Sequence, residues 1–234
     1  DALLPPTDVA EIMFKCVRIY DRPGYLPSGF GDYFRDKPAP VAGGTRLIGH
    51  WFCLLNQSTS MLEARPDAEV QALADRCLDA ILNKHLNRDF DLLNEVLDHD
   101  FGRGEERLAQ FCYTGHGIET LWMVLYEAVR RKDKALFDRA AAVFKRHCDV
   151  AWDDVYGGLF RSLNHVDKNI WETDKVGWLQ QEGLIGALCL LEHTGDPWAE
   201  AFFAKLHDWV MDKFPLKKRG YPLWIDGADR KVTF

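Results

Sequence analysis

Apolar positions along this chain follow an alternation that occurs three times over. In the middle round Ile118, Leu121, Trp122, Leu125 and Val129 recur at three- and four-residue steps, the stripe of an α-helix. Met123, Val124 and Tyr126 fill its other faces, so this helix is apolar nearly all round and is expected to be buried. The helix that starts after Asp133 differs: Leu136, Ala140, Val143, Phe144 and Cys148 share one side, which predicts an amphipathic helix at a surface. A strand-like piece, Tyr156-Gly157-Gly158-Leu159-Phe160, follows.

The flanking rounds repeat this order. Residues 50–64 predict a first buried helix. Asp67 then caps an amphipathic one carrying Val70, Leu73, Ala74, Cys77, Leu78, Ile81 and Leu82, and residues 90–97 read as a short strand or hairpin. In the last round the apolar helix runs from Lys175 through Leu191. Asp196 caps the next, Pro197 takes its first helical position, and Phe202, Leu206, Trp209 and Val210 line the inner side. Residues 221–225 close the round. Glu63, Glu127 and Glu192 end the buried helices at intervals of 64 and 65 residues, and Leu92, Leu159 and Leu223 mark the strand-like pieces at intervals of 67 and 64. Units starting near 50, 115 and 175 are therefore expected to stack around one core, in a single domain over 1–234. A buried helix alternating with an amphipathic one predicts an all-α toroid with an inner and an outer layer, whose inner-helix starts and hairpins face a central pocket. An open α-solenoid is the alternative. Ahead of the repeats, residues 8–19 predict a helix with Val9, Ile12, Met13, Cys16 and Val17 on one side. Residues 20–48, rich in Gly and Pro with Tyr25, Phe30, Tyr33 and Phe34 interleaved, predict a long irregular loop, either a lid or a plain connector.

Composition narrows the class. At 47% hydrophobic and 28% charged, the 234 residues are globular material. A net charge of −7 without a basic run argues against nucleic acid or an anionic membrane as partner. Six scattered cysteines without a CxxC pair read as reduced core thiols of a cytoplasmic protein and argue against a zinc site. No apolar run reaches membrane-spanning length, and the start lacks a signal-peptide pattern.

The chemistry concentrates at the start of the middle helix. Gly115-His116-Gly117-Ile118-Glu119 places His116 and Glu119 three residues apart, on one helical face and within side-chain reach. The positive end of the helix is expected to disfavour protonated His116 and keep it a neutral base, while Glu119 holds one imidazole N–H and sets the tautomer. On spacing alone, a capping or core histidine is the more common outcome.

These residues resemble a known family. Gly115-His116-Gly117-Ile118-Glu119, with Trp122 and Glu127-Ala128 behind it, is similar to the G-H-x-I-E…W…E-A motif of the N-acylglucosamine 2-epimerase superfamily, which also holds cellobiose 2-epimerases and mannose-type aldose–ketose isomerases. Lys175-Val176-Gly177-Trp178-Leu179-Gln180-Gln181-Glu182-Gly183-Leu184 resembles the superfamily's K-x-W-W-x-Q-x-E-A-L, and Thr194-Gly195-Asp196-Pro197 its T-G-D-P turn. The likeness covers roughly residues 50–234. It implies an (α/α)6 toroid, here an incomplete ring, acting on a free reducing sugar without a metal or cofactor. The departures are specific: Gly177 replaces the first Trp of the pair, and Ser60 stands where cellobiose epimerases carry a histidine. A further catalytic histidine of the family, on its last inner helix, would fall beyond Phe234. Six repeats of this size need roughly 390 residues, so the chain is expected to be a fragment or a shortened member.

The resemblance implies proton transfer at C2 of the sugar through an enediolate, giving an epimer or a ketose. His116 is then the acid/base, oriented by Glu119. Trp178 would pack on the sugar's apolar face, and Gln180, Glu182 and Ser60 would bind hydroxyls. Two alternatives stand beside it. One is a truncated, inactive helical-repeat scaffold whose uncovered inner face is buried by a partner or by self-association as a homo-oligomer. The other is a glycoside hydrolase on the same toroid, with Glu119, Asp154 and Glu182 as the available acids.

Overall fold

Aspartates open the outer helices, as the sequence predicts. The Asp67 carboxylate accepts from the N–H groups of Glu69 and Val70, Asp133 from Leu136, and Asp196 from Trp198, each satisfying donors that a helix start leaves unpaired. The computed structural model describes residues 6–27, 43–216, 220–223, 225–227 and 232–233. Its helices are α1 (Pro6–Tyr20), α2 (Ile48–Ala64), α3 (Ala68–Asp79), the single turn α4 (Glu106–Ala109), α5 (Thr114–Arg131), α6 (Lys134–Ala151), α7 (Gly177–Thr194) and α8 (Pro197–Lys213). Helices α2, α5 and α7 pack side by side in that order as the inner layer. Helices α3, α6 and α8 back them as the outer layer. The result is an arc of an (α/α)6 toroid rather than an open solenoid. None of the described helices is long and apolar enough to cross a membrane.

The strands are short: β1 (Arg46–Leu47), β2 (Leu86–Asn87), β3 (Leu92–Leu93), β4 (Val96–Leu97), β5 (Ser162–His165), β6 (Ile170–Glu172), β7 (Asp174–Val176), β8 (Pro215–Leu216), β9 (Tyr221–Pro222), β10 (Ile225–Gly227) and β11 (Val232–Thr233). Hairpins β2–β3, β5–β6 and β8–β9 project from the ends of the helices. A second set of pairings is strictly periodic. The residue leading into each inner helix pairs antiparallel with one from the hairpin that follows: Arg46 with Leu97, Cys112 with Leu163, and Lys175 with Asp226, each 51 residues apart. This lattice brings a hairpin residue to the first turn of the inner helices, which is what builds the site.

One apolar core runs continuously through the arc, from Met13 and Tyr20 of α1 to Leu206 of α8. Its close fit is visible at Gly186 on α7, where a Cβ would fall 2.2 Å from the ring of Phe144 on α6.

Several local readings change. Helix α5 is not buried all round: His116, Glu119 and Trp122 are half-buried and Tyr126 is 48% exposed, forming one stripe on the inner surface of the arc. An inner helix packs on its neighbours and its outer partner but turns its remaining face to the lumen, so apolar residues there stay open. The helix after Asp67 ends at Asp79 and continues as a π-helical turn, Ala80–His85. Residues 90–97 split between β3, which pairs with β2, and β4, which pairs with β1. Leu159 forms a single bridge to Trp152 rather than a strand. On α1, Met13, Val17 and Tyr20 are buried, whereas Ile12 and Cys16 line a groove of about 580 Å³ shared with α2. Cys16 and Cys53 are exposed, so they are not core thiols; Cys77, Cys112, Cys148 and Cys189 are buried. His165 lies in β5 and faces Glu106. Within the predicted 20–48 loop, Arg46 and Leu47 already form β1, and residues 28–42, with Phe30, Tyr33 and Phe34, lie outside the described residues, as does Trp224.

Candidate active site

The site grows from a hairpin end and a helix start. Glu95 follows β3, and the backbone that presents it is held at nearly every polar atom. Leu93 N–H donates to His147 Nε2 and Asn94 N–H to the His85 carbonyl. His85 Nδ1–H donates to the Asn94 carbonyl, Glu95 N–H donates to Phe111 O, and Glu95 O accepts from Ile48 N–H. The Asn94 amide adds bonds to Ala109 O and Phe111 O. So anchored, the Glu95 carboxylate is 1% exposed and points at the first turn of α5.

There it meets His116. Nδ1 of the imidazole lies 3.0 and 3.1 Å from the two Glu95 oxygens, while the side chain keeps 20% of its surface exposed. Rings enclose it. Tyr113 stacks on the imidazole at 4.2 Å between centroids, Phe52 meets it edge-on at 5.6 Å, and Trp178 of α7 lies at 5.9 Å. The two glycines around His116 serve close approach. A Cβ on Gly115 would fall 2.7 Å from the Trp178 ring, and one on Gly117 would fall 2.4 Å from the His147 ring. Thr114 Oγ1 donates to the carbonyls of Phe160 and Arg161, and Gly115 N–H donates to Arg161 O, so the following hairpin fixes the start of α5.

The electrostatics depart from the sequence reading. Burial alone would lower the His116 pKa. The charge and hydrogen bond of Glu95, with a smaller contribution from Glu119, outweigh it and raise the pKa above the usual histidine value. The orienting carboxylate is therefore Glu95, not Glu119, and the helix start does not keep His116 from taking a proton. A fully buried carboxylate at hydrogen-bond distance outweighs a partial helix charge. Glu119, half-buried on the lumen face, is pushed up to about 7 by burial, with Glu182 and Glu95 adding and His116 opposing. Burial likewise raises Glu182, partly offset by the Trp122 indole N–H, which donates to its carboxylate at 2.5 Å.

His116, Glu119, Trp178 and Glu182 thus come together on the α5–α7 face of the arc. Gln180 does not. It is fully buried, its Oε1 accepting from Leu159 N–H and its Nε2 donating to the carbonyls of Leu159 and Val176. It clasps a strand-like piece to the start of α7 and has no polar atom to offer a sugar. Ser60 is exposed on α2, its hydroxyl bonded to Asn56 O, two helical turns beyond Cys53. Phe52, which meets the His116 ring, lies eight residues earlier on α2, about 12 Å along the helix axis. Asp154 is exposed in the turn after α6. Sequence reasoning missed Glu95 and Tyr113. The signal for Glu95 was present: a lone carboxylate inside the apolar run Leu92-Leu93-Asn94-Glu95-Val96-Leu97, in a hairpin expected to face the pocket. Among the described residues, no three His, Cys, Asp or Glu side chains converge as metal ligands would.

Residues 50–233 match the family model for N-acylglucosamine 2-epimerase (GlcNAc 2-epimerase). The chain is similar to the N-acylglucosamine 2-epimerase of Bos taurus, 27% identical over 219 residues, covering 88% of this chain and 49% of the relative. Among solved structures it is similar to a D-mannose isomerase (TM-score 0.70, 17% identity, 96% of this chain and 60% of that one). It is also similar to the cellobiose 2-epimerase of Bacillus thermoamylovorans (TM-score 0.69, 15% identity, 80% and 47%). At those identities the two structures show the shared fold alone. The chain spans about half the length of the curated relative it matches. With the family model covering most of its residues, the chain belongs to the N-acylglucosamine 2-epimerase family.

Proposed function

We propose that this chain carries out sugar epimerase or aldose–ketose isomerase chemistry, His116 moving a proton at C2 of an open-chain reducing sugar through an enediolate. The observation that carries the reading is the buried Glu95 carboxylate on Nδ1 of a largely buried but still accessible His116. It sets the tautomer, so proton exchange falls to Nε2, and it makes the imidazole a stronger base. Nε2 takes the C2 proton, the C–H electron pair forms the C1–C2 double bond, and the carbonyl electrons move to O1. Glu119, titrating near neutrality on the same helical face, suits delivery of a proton to that oxygen. Return of a proton to the opposite face of C2, from water or a second acid, with loss of the O1 proton as the C1 carbonyl re-forms, gives the epimer. Return to C1, with loss of the O2 proton, gives the ketose. The carbonyl is its own electron sink, so the step draws on no cofactor. Trp178 and Tyr113 would form the apolar wall for a sugar ring, and Glu182 would bind a hydroxyl.

The test is product identification by proton NMR after incubating the chain with mannose and cellobiose, which the relatives' names carry, and with N-acetylmannosamine, the C2 epimer of an N-acylglucosamine. A C2 epimer or a ketose from any of them supports the reading, and its identity separates the two activities. Folded protein that converts none of them counts against the reading and favours a helical-repeat binding scaffold.

A further inference from the structure

Two histidines outside the site are buried behind it, and one of them touches the chain beside each half of the Glu95–His116 pair, at Leu93 and at Gly117. His147, on outer helix α6, is 1% exposed. Its Nδ1–H donates to Val143 O at 2.9 Å, which leaves Nε2 as an acceptor, and that atom receives the Leu93 N–H at 3.1 Å. Leu93 lies two residues before Glu95. The same ring occupies the space that a side chain at Gly117 would need, with Cδ2 and Nε2 at 2.4 and 2.6 Å from the Cβ position. Gly117 lies one residue after His116. His85 grips the intervening residue through Asn94 O at 2.7 Å. Burial holds His147 and His85 at about 4, so both stay neutral near pH 7. A neutral imidazole is what this geometry requires, because a proton on Nε2 would face the Leu93 N–H.

We infer that His147 is a positioning residue, a buried neutral imidazole that fixes the distance between Glu95 and His116 by bonding the Leu93 backbone and filling the face of Gly117. The inference rests on the reading of His116, oriented by Glu95, as the acid/base, but it concerns a residue that never meets substrate. It explains why the second position after Gly115 is a glycine: any side chain there would displace the ring that registers the hairpin against α5. A reacting group misplaced by about 1 Å costs on the order of 100-fold. Loosening this contact should therefore lower kcat by about 10- to 100-fold with KM little changed.

The experiment follows the His116 imidazole by NMR through a pH titration in the full chain, comparing wild type, His147→Phe, His147→Gln and Glu95→Gln. His147→Phe keeps an aromatic ring, somewhat larger than the imidazole, and removes the acceptor, and His147→Gln restores one. Gly117→Ala, which presses on the ring from the other side, is the second route to the same displacement. The expected result is that His147→Phe and Gly117→Ala lower the His116 titration midpoint by at least half of the drop caused by Glu95→Gln, with His147→Gln intermediate. A folded His147→Phe or Gly117→Ala protein with the wild-type midpoint overturns the inference, while the drop in Glu95→Gln leaves the pair itself standing. No change in any variant, Glu95→Gln included, overturns both. A midpoint that follows the expected order in a chain without sugar turnover keeps the positioning role and removes the proposed function.

Discussion

Replacing Gln180 by leucine tests the assignment that most separates structure from motif. The residue sits in a stretch similar to a sugar-site motif, yet its amide is spent on backbone: one bond accepted from Leu159 N–H at 2.9 Å and two donated, to Leu159 O at 2.9 Å and Val176 O at 3.3 Å. Leucine has nearly the same volume, so the packing loss is small and the polar loss dominates. Each hydrogen bond contributes about 1 kcal/mol net, and a buried group left without a partner costs about 1–3 kcal/mol. Leu159 is fully buried, so both its N–H and its carbonyl are stranded. The sum is about 3 kcal/mol. For a chain of this length 1 kcal/mol moves Tm by about 2–4 °C, so thermal unfolding followed by circular dichroism should show a fall of about 6–12 °C. Gln180→Glu, which keeps an acceptor for Leu159 N–H but cannot donate, should fall comparably. A Tm within about 2 °C of wild type for Gln180→Leu would refute the clasp and return Gln180 to the candidate sugar ligands.

Three further outcomes follow from the same contacts. Glu127 is fully buried, accepting from Thr59 and paired with Arg130 at 2.7 Å and Arg131 at 2.5 Å; Glu127→Leu leaves two guanidiniums facing a buried apolar group and should cost about 3–5 kcal/mol in urea unfolding. Gly186→Ala, which drives a methyl into the Phe144 ring, should cost about 1–3 kcal/mol by the same assay, and Phe144→Leu should relieve part of it. The third concerns pH. His147 is depressed to about 4 in the fold, so the unfolded chain binds a proton that the folded one refuses between about pH 6.5 and 4. Its contribution to stability is fully present above that window and is lost as pH falls through it. His147→Phe should flatten the dependence of unfolding free energy on pH there by about 1.4 kcal/mol per pH unit. His116 runs the other way. Its raised pKa contributes stability that is full below the ordinary histidine value and is lost as pH rises through the folded one.

Much of the arc was legible in the chain because it is written locally. The caps at Asp67, Asp133 and Asp196 depend on residues two or three positions away, and the alternation of buried and amphipathic helices depends on period. The misreadings share a different cause. Tyr126 and Val129 look like core by hydropathy, but a ring leaves the lumen face of its inner helices unpacked. Gln180 and Trp178 are neighbours in one motif, yet two residues on a helix are about 200° apart, so one faces the lumen and the other the packed side. Counting by 3.6 from Trp178 selects Glu182 and rejects Gln180. Glu95 reaches His116 across 21 residues and a hairpin, a contact set by the 51-residue strand pairing rather than by helical spacing. His147 was hidden for the same reason: its partners Leu93 and Gly117 lie 54 and 30 positions before it.

The central claim is that His116 exchanges a proton with C2 of a reducing sugar. Proton NMR of mannose or N-acetylmannosamine in D2O, with the wild-type chain beside His116→Ala, tests it directly, because exchange registers enediolate formation even where little product accumulates. The account predicts loss of the C2 proton signal with the wild type and none with His116→Ala at matched folding. Equal exchange in both, or none with the folded wild type, would contradict it.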